Sequence, residues 1–457
     1  MGGMQSIQRV YLLGIGGIGM SALARWYAHR GLPVAGYDRT PSSLTAELEA
    51  EGMTVTFDEQ LKSIPSEYLN PEGTLVILTP AVPKDQPQLL HFKQNGYEVL
   101  KRSEVLGLIS RQYTTLAVAG THGKTTTSSI LAHLLNGSQL GCNAFLGGIA
   151  ANFNSNLVVN SASSLMVAEA DEYDRSFLQL SPKLAVVTSV DPDHLDIYGN
   201  PEEMRATYRA FVSKLGDDGM LIKRFGLELE HTNCMTYAVD EAMADHHAEN
   251  LRPVDGLYSF DLSTPKEKIN GLRFAMPGRH NLENAIGAAA AALHMGISAD
   301  ELRQGLATFR GAKRRFETII RTERLLFIDD YAHHPAELSA CIRSVRELNP
   351  GRHITGVFQP HLFSRTRDLA DGFAQSLAEL DRLILLPIYP ARELPMPGVT
   401  SEWLLDMVPM TDKRMATREE LPALLGSMPD LQVLLTLGAG DIDRTVSPIS
   451  NALAARA

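Results

Sequence analysis

An α/β architecture in three consecutive domains is what this sequence predicts, and three observations carry the prediction. Short apolar runs alternate with helical patterns along the chain, the pattern of parallel sheets covered by helices. Two strand-to-helix junctions are glycine turns of the kind that hold phosphate, Gly14-Ile15-Gly16-Gly17-Ile18-Gly19 and Gly120-Thr121-His122-Gly123-Lys124-Thr125-Thr126-Thr127. The length, 457 residues, suits about three ordinary domains.

The first block, residues 1–112, opens with an apolar strand over Val10 to Leu13 and passes through the glycine turn into a helix. Met20, Leu23, Ala24 and Tyr27 recur there at helical spacing, and Gly31 is placed to end it. A second strand, Pro33 to Tyr37, ends at Asp38, so G-x-G-x-x-G is followed about 20 residues on by an acid, the Rossmann-like fingerprint. Further strands fall at Thr74 to Leu78, followed by Thr79, and near Tyr97 to Leu100. The second block, residues 113–317, starts with a strand over Thr115 to Ala119, the phosphate loop and a helix over Ser128 to Asn136. Strands at Leu165 to Ala168 and Leu184 to Val190 each lead into acidic residues. An alanine-rich helix over Asn281 to Leu293 reads as buried, with Gly296 beyond its end, and Ser298 with Glu301 forms a capping box for the next helix. In the third block, residues 318–457, strands at Leu325 to Ile328, Ile354 to Phe358, Leu383 to Leu386 and Val433 to Leu437 alternate with helical stretches, and Leu394 to Thr400 reads as an ordered loop.

Composition narrows the function. A formal net charge of -11 argues against a broad basic surface for nucleic acid, while leaving room for an anionic small molecule in a local positive pocket. Cys142, Cys234 and Cys341 form no CxxC pair, so neither a disulfide framework nor a zinc site is supported. Met1 to Arg9 carries no signal-peptide pattern and no apolar run approaches the roughly 20 residues of a membrane span, so a cytoplasmic protein without membrane insertion is expected.

The chemistry concentrates at strand ends. A strand feeding a glycine turn into a helix aims backbone N–H groups and the helix dipole at one point; Lys124 adds a full charge, and Thr125 can place a hydroxyl on a phosphate-bound Mg²⁺. The spacing is G-x-x-G-K-T, since Val118 stands where the longer P-loop has glycine. Glu169 directly continues an apolar strand, where an unpaired charge is expensive, and can ligate that metal. Asp171, Glu172 and Asp174 fit equally a solvated acidic turn. In Asp191-Pro192-Asp193-His194-Leu195-Asp196, His194 can act as metal ligand, general base or phosphate contact. Asn281 suits a helix cap, and Asn284, one turn on, can reach a nucleotide. Arg314 and Arg315 lie at a domain junction, where an arginine can neutralise charge on a transferred phosphoryl group. Asp329-Asp330-Tyr331-Ala332-His333-His334 and the pair His361 and Arg365 suit substrate positioning, because adjacent histidines on a turn rarely share one ion.

Taken in order, GTHGKTTT, AEADEYD, DPDHLD, GRHNLEN, RRFE, DDYAHHP, FQPHLFSRTRD and LGAGDI resemble the ATP-dependent Mur ligases of bacterial cell-wall synthesis over nearly the whole chain, with GIGGIGMSALA and DDYAHHP closest to its alanine-adding branch. The resemblance implies an N-terminal domain for a UDP group, a central ATPase and a C-terminal Rossmann-like domain. It implies ATP and Mg²⁺ as cofactors, UDP-N-acetylmuramate and L-alanine as partners, an acyl-phosphate intermediate, and a monomer or weak homo-oligomer. Onto matching positions it carries Gly120, Thr121, His122, Gly123, Lys124, Thr125, Thr126, Asn284 and Arg315 for ATP, and Thr125, Glu169 and His194 for metal, with Lys124, His194, Glu169 and Arg315 catalytic. Gly16, Gly17, Ile18, Gly19, Met20, Asp38, Thr79 and Arg102 fall to the uridine nucleotide, and His333, His361 and Arg365 to the muramoyl group and incoming amine.

Two departures stand out. Leu362-Phe363 replaces the Arg-Tyr many relatives carry after the QPH histidine, so Arg365 acts without that second arginine. Pro201 to Val212 holds no lysine of the kind several sister ligases carbamylate, which agrees with the alanine-adding branch. A dehydrogenase resting on Gly14, Gly16, Gly19 and Asp38 leaves the Lys124 loop unexplained. A non-catalytic nucleotide-binding module need not keep the acidic and histidine sites intact, and a ligase recycling preformed peptides matches Tyr389 to Ser401 less well.

Overall fold

Three sheets organise the chain in a computed structural model that describes residues 7–192, 195–254, 256–391 and 393–454. The first contains β1 (Arg9–Leu13), β2 (Val34–Tyr37), β3 (Thr54–Thr56), β4 (Thr74–Leu78) and β5 (Glu98–Lys101), all parallel in the order β3-β2-β1-β4-β5. Val10 to Leu13 and Val76 with Ile77 are fully buried, as strands covered by helices on both faces must be.

The second sheet holds β6 (Thr114–Ala119), β7 (Asn143–Ala150), β8 (Ser155–Val158), β9 (Leu165–Glu169), β10 (Pro182–Val187), β11 (Met220–Arg224), β12 (Cys234–Ala238), β13 (His246–Val254), β14 (Leu257–Ser263) and β15 (Lys268–Phe274). Its order is β15-β14-β13-β12-β11-β10-β6-β9-β7-β8. Strand β6 is parallel to both neighbours, β9 and β10, so the phosphate loop leaves the sheet between the two strands whose ends the sequence marks with acids. The third sheet, β16 (Glu317–Arg321), β17 (Leu326–Asp330), β18 (Ile354–Phe358), β19 (Arg382–Leu385), β20 (Lys413–Met415) and β21 (Val433–Leu437), runs β16-β17-β21-β18-β19-β20, with only β16 antiparallel.

Element boundaries shift where local chemistry decides them. The helix after the phosphate loop begins at Lys124, four residues before its apolar pattern, because Thr125 to Ser128 are themselves buried. The alanine-rich helix spans Arg279–Met295, so Asn281 is not its cap: it sits in the first turn and its side chain donates to the Pro277 carbonyl at 2.8 Å. The Ser298–Glu301 capping box is present, with the Glu301 N–H donating to Ser298 Oγ at 3.2 Å and the Ser298 N–H to the Glu301 carboxylate at 2.7 Å.

Two compact units result, Met1–Ala248 with Leu262–Ile269 and Asn284–Leu306, and Glu249–Asp261 with Asn270–Glu283 and Ala307–Ala457. Within the first, Arg25 on the helix Ile18–His29 ties the first sheet to the second: its guanidinium donates to Glu47 at 3.0 Å, to Glu51 at 2.7 Å and to Asn156 Oδ1 on β8 at 2.6 Å. Asn156 returns two bonds to that helix, to the Ile18 carbonyl and to Ser21 Oγ. Among the described residues no helix is long and apolar enough to cross a membrane.

Candidate active site

The phosphate loop is shaped from the next strand as much as from its own sequence. Gly123 takes φ +83° and precedes the helix with no side-chain cap, leaving the first-turn N–H groups available to a ligand. An added Cβ at Gly123 would fall 2.4 Å from Asn284 Oδ1, so Asn284 lies against the loop. Past the end of β10, Ser189 Oγ accepts from the His122 N–H at 2.9 Å and the Ser189 carbonyl from the Thr121 N–H at 3.3 Å, while the Asp191 carbonyl accepts from the Thr121 hydroxyl at 2.8 Å. Thr188 donates to the carbonyls of His122 and Ala119. The sequence reading passed over Thr188 and Ser189; small hydroxyl residues closing a buried strand just before Asp191 were the available signal. Thr126 is buried in the first turn of the helix.

Lys124 is folded back over this loop. Its ammonium donates to the Gly120 carbonyl at 2.6 Å, the Thr121 carbonyl at 3.2 Å and Glu172 Oε1 at 2.9 Å. Burial opposes its charge, but Glu172, Asp171 and Glu169 raise its pKa overall. Glu172 is therefore not part of a solvated turn: it is 1% exposed, and burial pushes its carboxyl up to about 7 against the pull of Lys124. Left-handed backbone at Asp174 and Arg175, φ +54° and +55°, follows as the chain turns away.

Glu169 faces Gly147 on β7, whose N–H donates to Oε2 at 3.1 Å. No side chain fits at Gly147, since a Cβ there would lie 2.0 Å from Oε1, and at the adjoining Gly148 a Cβ would lie 3.0 Å from the Thr125 methyl. Thr125 and Glu169 thus flank one glycine pair and offer hard oxygen donors, the set Mg²⁺ takes when phosphates and water complete its shell. His194 lies outside the described residues.

The first glycine turn gathers its predicted partners. The Gly16 N–H donates to Asp38 Oδ2 at 2.8 Å, the Thr79 methyl covers Gly14, and the Arg102 guanidinium covers Gly19. Ile18 is at the surface, whereas the Met20 side chain belongs to the core and its N–H bonds to the Gly17 carbonyl at 3.0 Å. Arg102 also pairs with Asp171 at 3.0 Å. Between this turn and the second sheet lies an open cleft of about 80 Å³, lined by Ile18, Gly19 and Arg102 on one side and Phe145, Glu169 and Asp171 on the other.

In the second unit, Arg314 is structural, donating to Asp329 at 3.1 Å and to the Gly438 carbonyl at 2.6 Å. The Arg314 and Arg315 guanidinium groups both lie over the Tyr331 ring, at 5.1 Å and 4.9 Å. The predicted His333, His361 and Arg365 come together: the two rings are 6.2 Å apart, and Arg365 Nη1 is 3.4 Å from His361 Nδ1. Tyr389, which the sequence did not mark for this site, stacks on His361 at 5.7 Å. The Glu337 carboxylate accepts the His333 main-chain N–H at 3.0 Å and lies 3.3 Å from the ring Nδ1. Leu362 takes φ +70° between His361 and the helix Phe363–Asp368, backbone strain at one of the family departures.

Three α/β domains in series, with a phosphate-type glycine turn in each of the first two, define the class of protein. The chain belongs to the Mur ligase family: the family's catalytic domain matches residues 9–114, its middle domain residues 118–292 and its glutamate ligase domain residues 314–440. It is 48% identical over 452 residues to the UDP-N-acetylmuramate–L-alanine ligase of Porphyromonas gingivalis, covering 98% of this chain and 99% of that one. It is also 48% identical over 450 residues to the enzyme of the same name from Flavobacterium johnsoniae, again covering 98% and 99%. Among solved structures, the UDP-N-acetylmuramate–alanine ligase of Thermotoga maritima shares the fold with a TM-score of 0.82 at 24% identity, covering 98% of this chain and 100% of that one. A murein peptide ligase from Psychrobacter arcticus follows at 0.69 and 21%, covering 98% of each.

Proposed function

We propose that this chain is an ADP-forming ligase that joins L-alanine to the carboxylate of UDP-N-acetylmuramate, a step in peptidoglycan precursor synthesis in the bacterial cytoplasm. The observation that carries the reading is the cleft whose one wall is the Gly19 and Arg102 turn and whose other is Glu169 and Asp171 beside the Lys124 loop. A sugar nucleotide held by the first turn can extend its carboxylate toward a triphosphate held by the second.

A carboxylate resists amines until one oxygen becomes a leaving group, so a phosphoryl group must first move from ATP to that carboxylate. Moving phosphate between two anions calls for neutralisation of the charge around them, which Lys124 and the loop N–H groups provide on the donor side. Thr125 and Glu169, with His194, would hold Mg²⁺, which would supply charge neutralisation and Lewis-acid polarisation to the phosphoryl transfer. Asn284 borders the nucleotide loop, and Arg315 supplies a further cation in the reaction. His333, His361 and Arg365 form the site for the muramoyl group and the amine, which attacks the acyl phosphate and expels phosphate. We place the domain limits at residues 1–112, 113–317 and 318–457.

A coupled assay tests the reading. ADP release is expected only when Mg²⁺, UDP-N-acetylmuramate and L-alanine are supplied together; full turnover with a tripeptide and none with alanine would reject the assignment.

A further inference from the structure

We propose that Glu172 is the resting counter-ion of Lys124 and competes with nucleotide phosphate for it, so that ligand binds by exchanging one anion for another. The inference rests on reading the Gly120–Thr127 loop as the nucleotide site. A lysine ammonium has three N–H donors, and here all three are engaged, by the carbonyls of Gly120 and Thr121 and by Glu172. A phosphate oxygen can reach Lys124 only by replacing one of those acceptors.

The choice among the three follows from mobility and charge. Two acceptors are main-chain atoms of the loop itself, pinned by Ser189 and Asp191, and cannot withdraw without dismantling it. Glu172 reaches Lys124 through a flexible side chain, and as an anion it is repelled by incoming phosphate at a buried site where charges are poorly screened. Its backbone stays in place, because the Tyr198 hydroxyl donates to the Glu172 carbonyl. Both carboxylate oxygens face the ammonium, Oε1 at 2.9 Å and Oε2 at 2.7 Å, so the pair is a direct ion contact that an incoming phosphate must break.

Calorimetric titration of the full-length protein with ADP, in the wild type, Glu172→Gln, Lys124→Ala and the double variant, tests this. Glu172→Gln is expected to bind ADP about threefold or more tightly than the wild type, Lys124→Ala more weakly, and the double variant no better than Lys124→Ala. Structural damage lowers affinity, so a gain that needs Lys124 separates the counter-ion role from a merely structural one. Thermal unfolding checks that each variant folds; should Glu172→Gln not fold, Glu172→Asp, one methylene short of the ammonium, is expected to shift affinity in the same direction. Wild-type binding with no gain in the Glu172 variant, or a gain that persists without Lys124, overturns this inference alone. No ADP binding by the wild type, or undiminished binding by Lys124→Ala, overturns the nucleotide assignment of the loop and this inference with it.

Discussion

Single residues at the candidate site divide into those whose placement follows from chain neighbours and those placed by distant contacts. Lys124, Thr125 and Asp38 were legible because a glycine turn and a strand end fix them locally. Glu172 was not, because its burial depends on Tyr198 and Lys124, far along the chain, and an isolated acidic run reads as solvated. Asp330 illustrates the same point in the second unit. Burial pushes its carboxyl up to about 6, against the opposing pull of Arg315 and of N–H donors from Phe316 at 2.7 Å and Ala332 at 2.8 Å. The native state therefore retains a proton that the unfolded chain has released between the ordinary carboxylate range and about pH 6. This group's contribution to stability is greatest below that window and is lost as pH rises through it. The stability advantage of the wild type over Asp330→Asn is expected to shrink by about 2 kcal/mol between about pH 4.5 and pH 7 in denaturant titrations; a constant difference would contradict the assignment.

At the scale of elements, strands with continuous apolar runs were recognisable, and several half-exposed or glycine-bearing ones were not. β18 and β21 coincide with the expected segments, since every residue of ITGVF and VLLTL is buried. β13 is mostly part-exposed and polar, β15 mixes buried and exposed residues, and β7 carries Gly147 and Gly148, which mimic a turn. That glycine pair matters to the site because β7 brings it against Glu169. Gly147→Ala, whose Cβ would fall 2.0 Å from Glu169 Oε1, is expected to displace that carboxylate. The Mg²⁺ concentration needed for half-maximal turnover should rise by about tenfold or more, and an unchanged Mg²⁺ requirement would remove Glu169 from the metal site.

Across the whole molecule, the first unit depends on side chains that join sheets distant in sequence. Arg25, 9% exposed, is held by Glu47, Glu51 and Asn156, and its loss strands the Asn156 carbonyl oxygen at a buried seam. Arg25→Ala is expected to cost about 2 kcal/mol in urea denaturation of the full-length protein, short of a fully buried pair because the two glutamates remain partly solvated. A change within about 0.5 kcal/mol would show that the seam holds without it. By itself the sequence determined the order of the three α/β blocks, the two phosphate turns and the family, because strand period, glycine spacing and helix starts are local properties of the chain. Only the tertiary structure decided that β6 lies between β9 and β10, that Glu172 and not Asp174 meets Lys124, and that His361 stacks on Tyr389. Those pairings rest on sheet order and on the burial of charge, which are set when distant segments pack together.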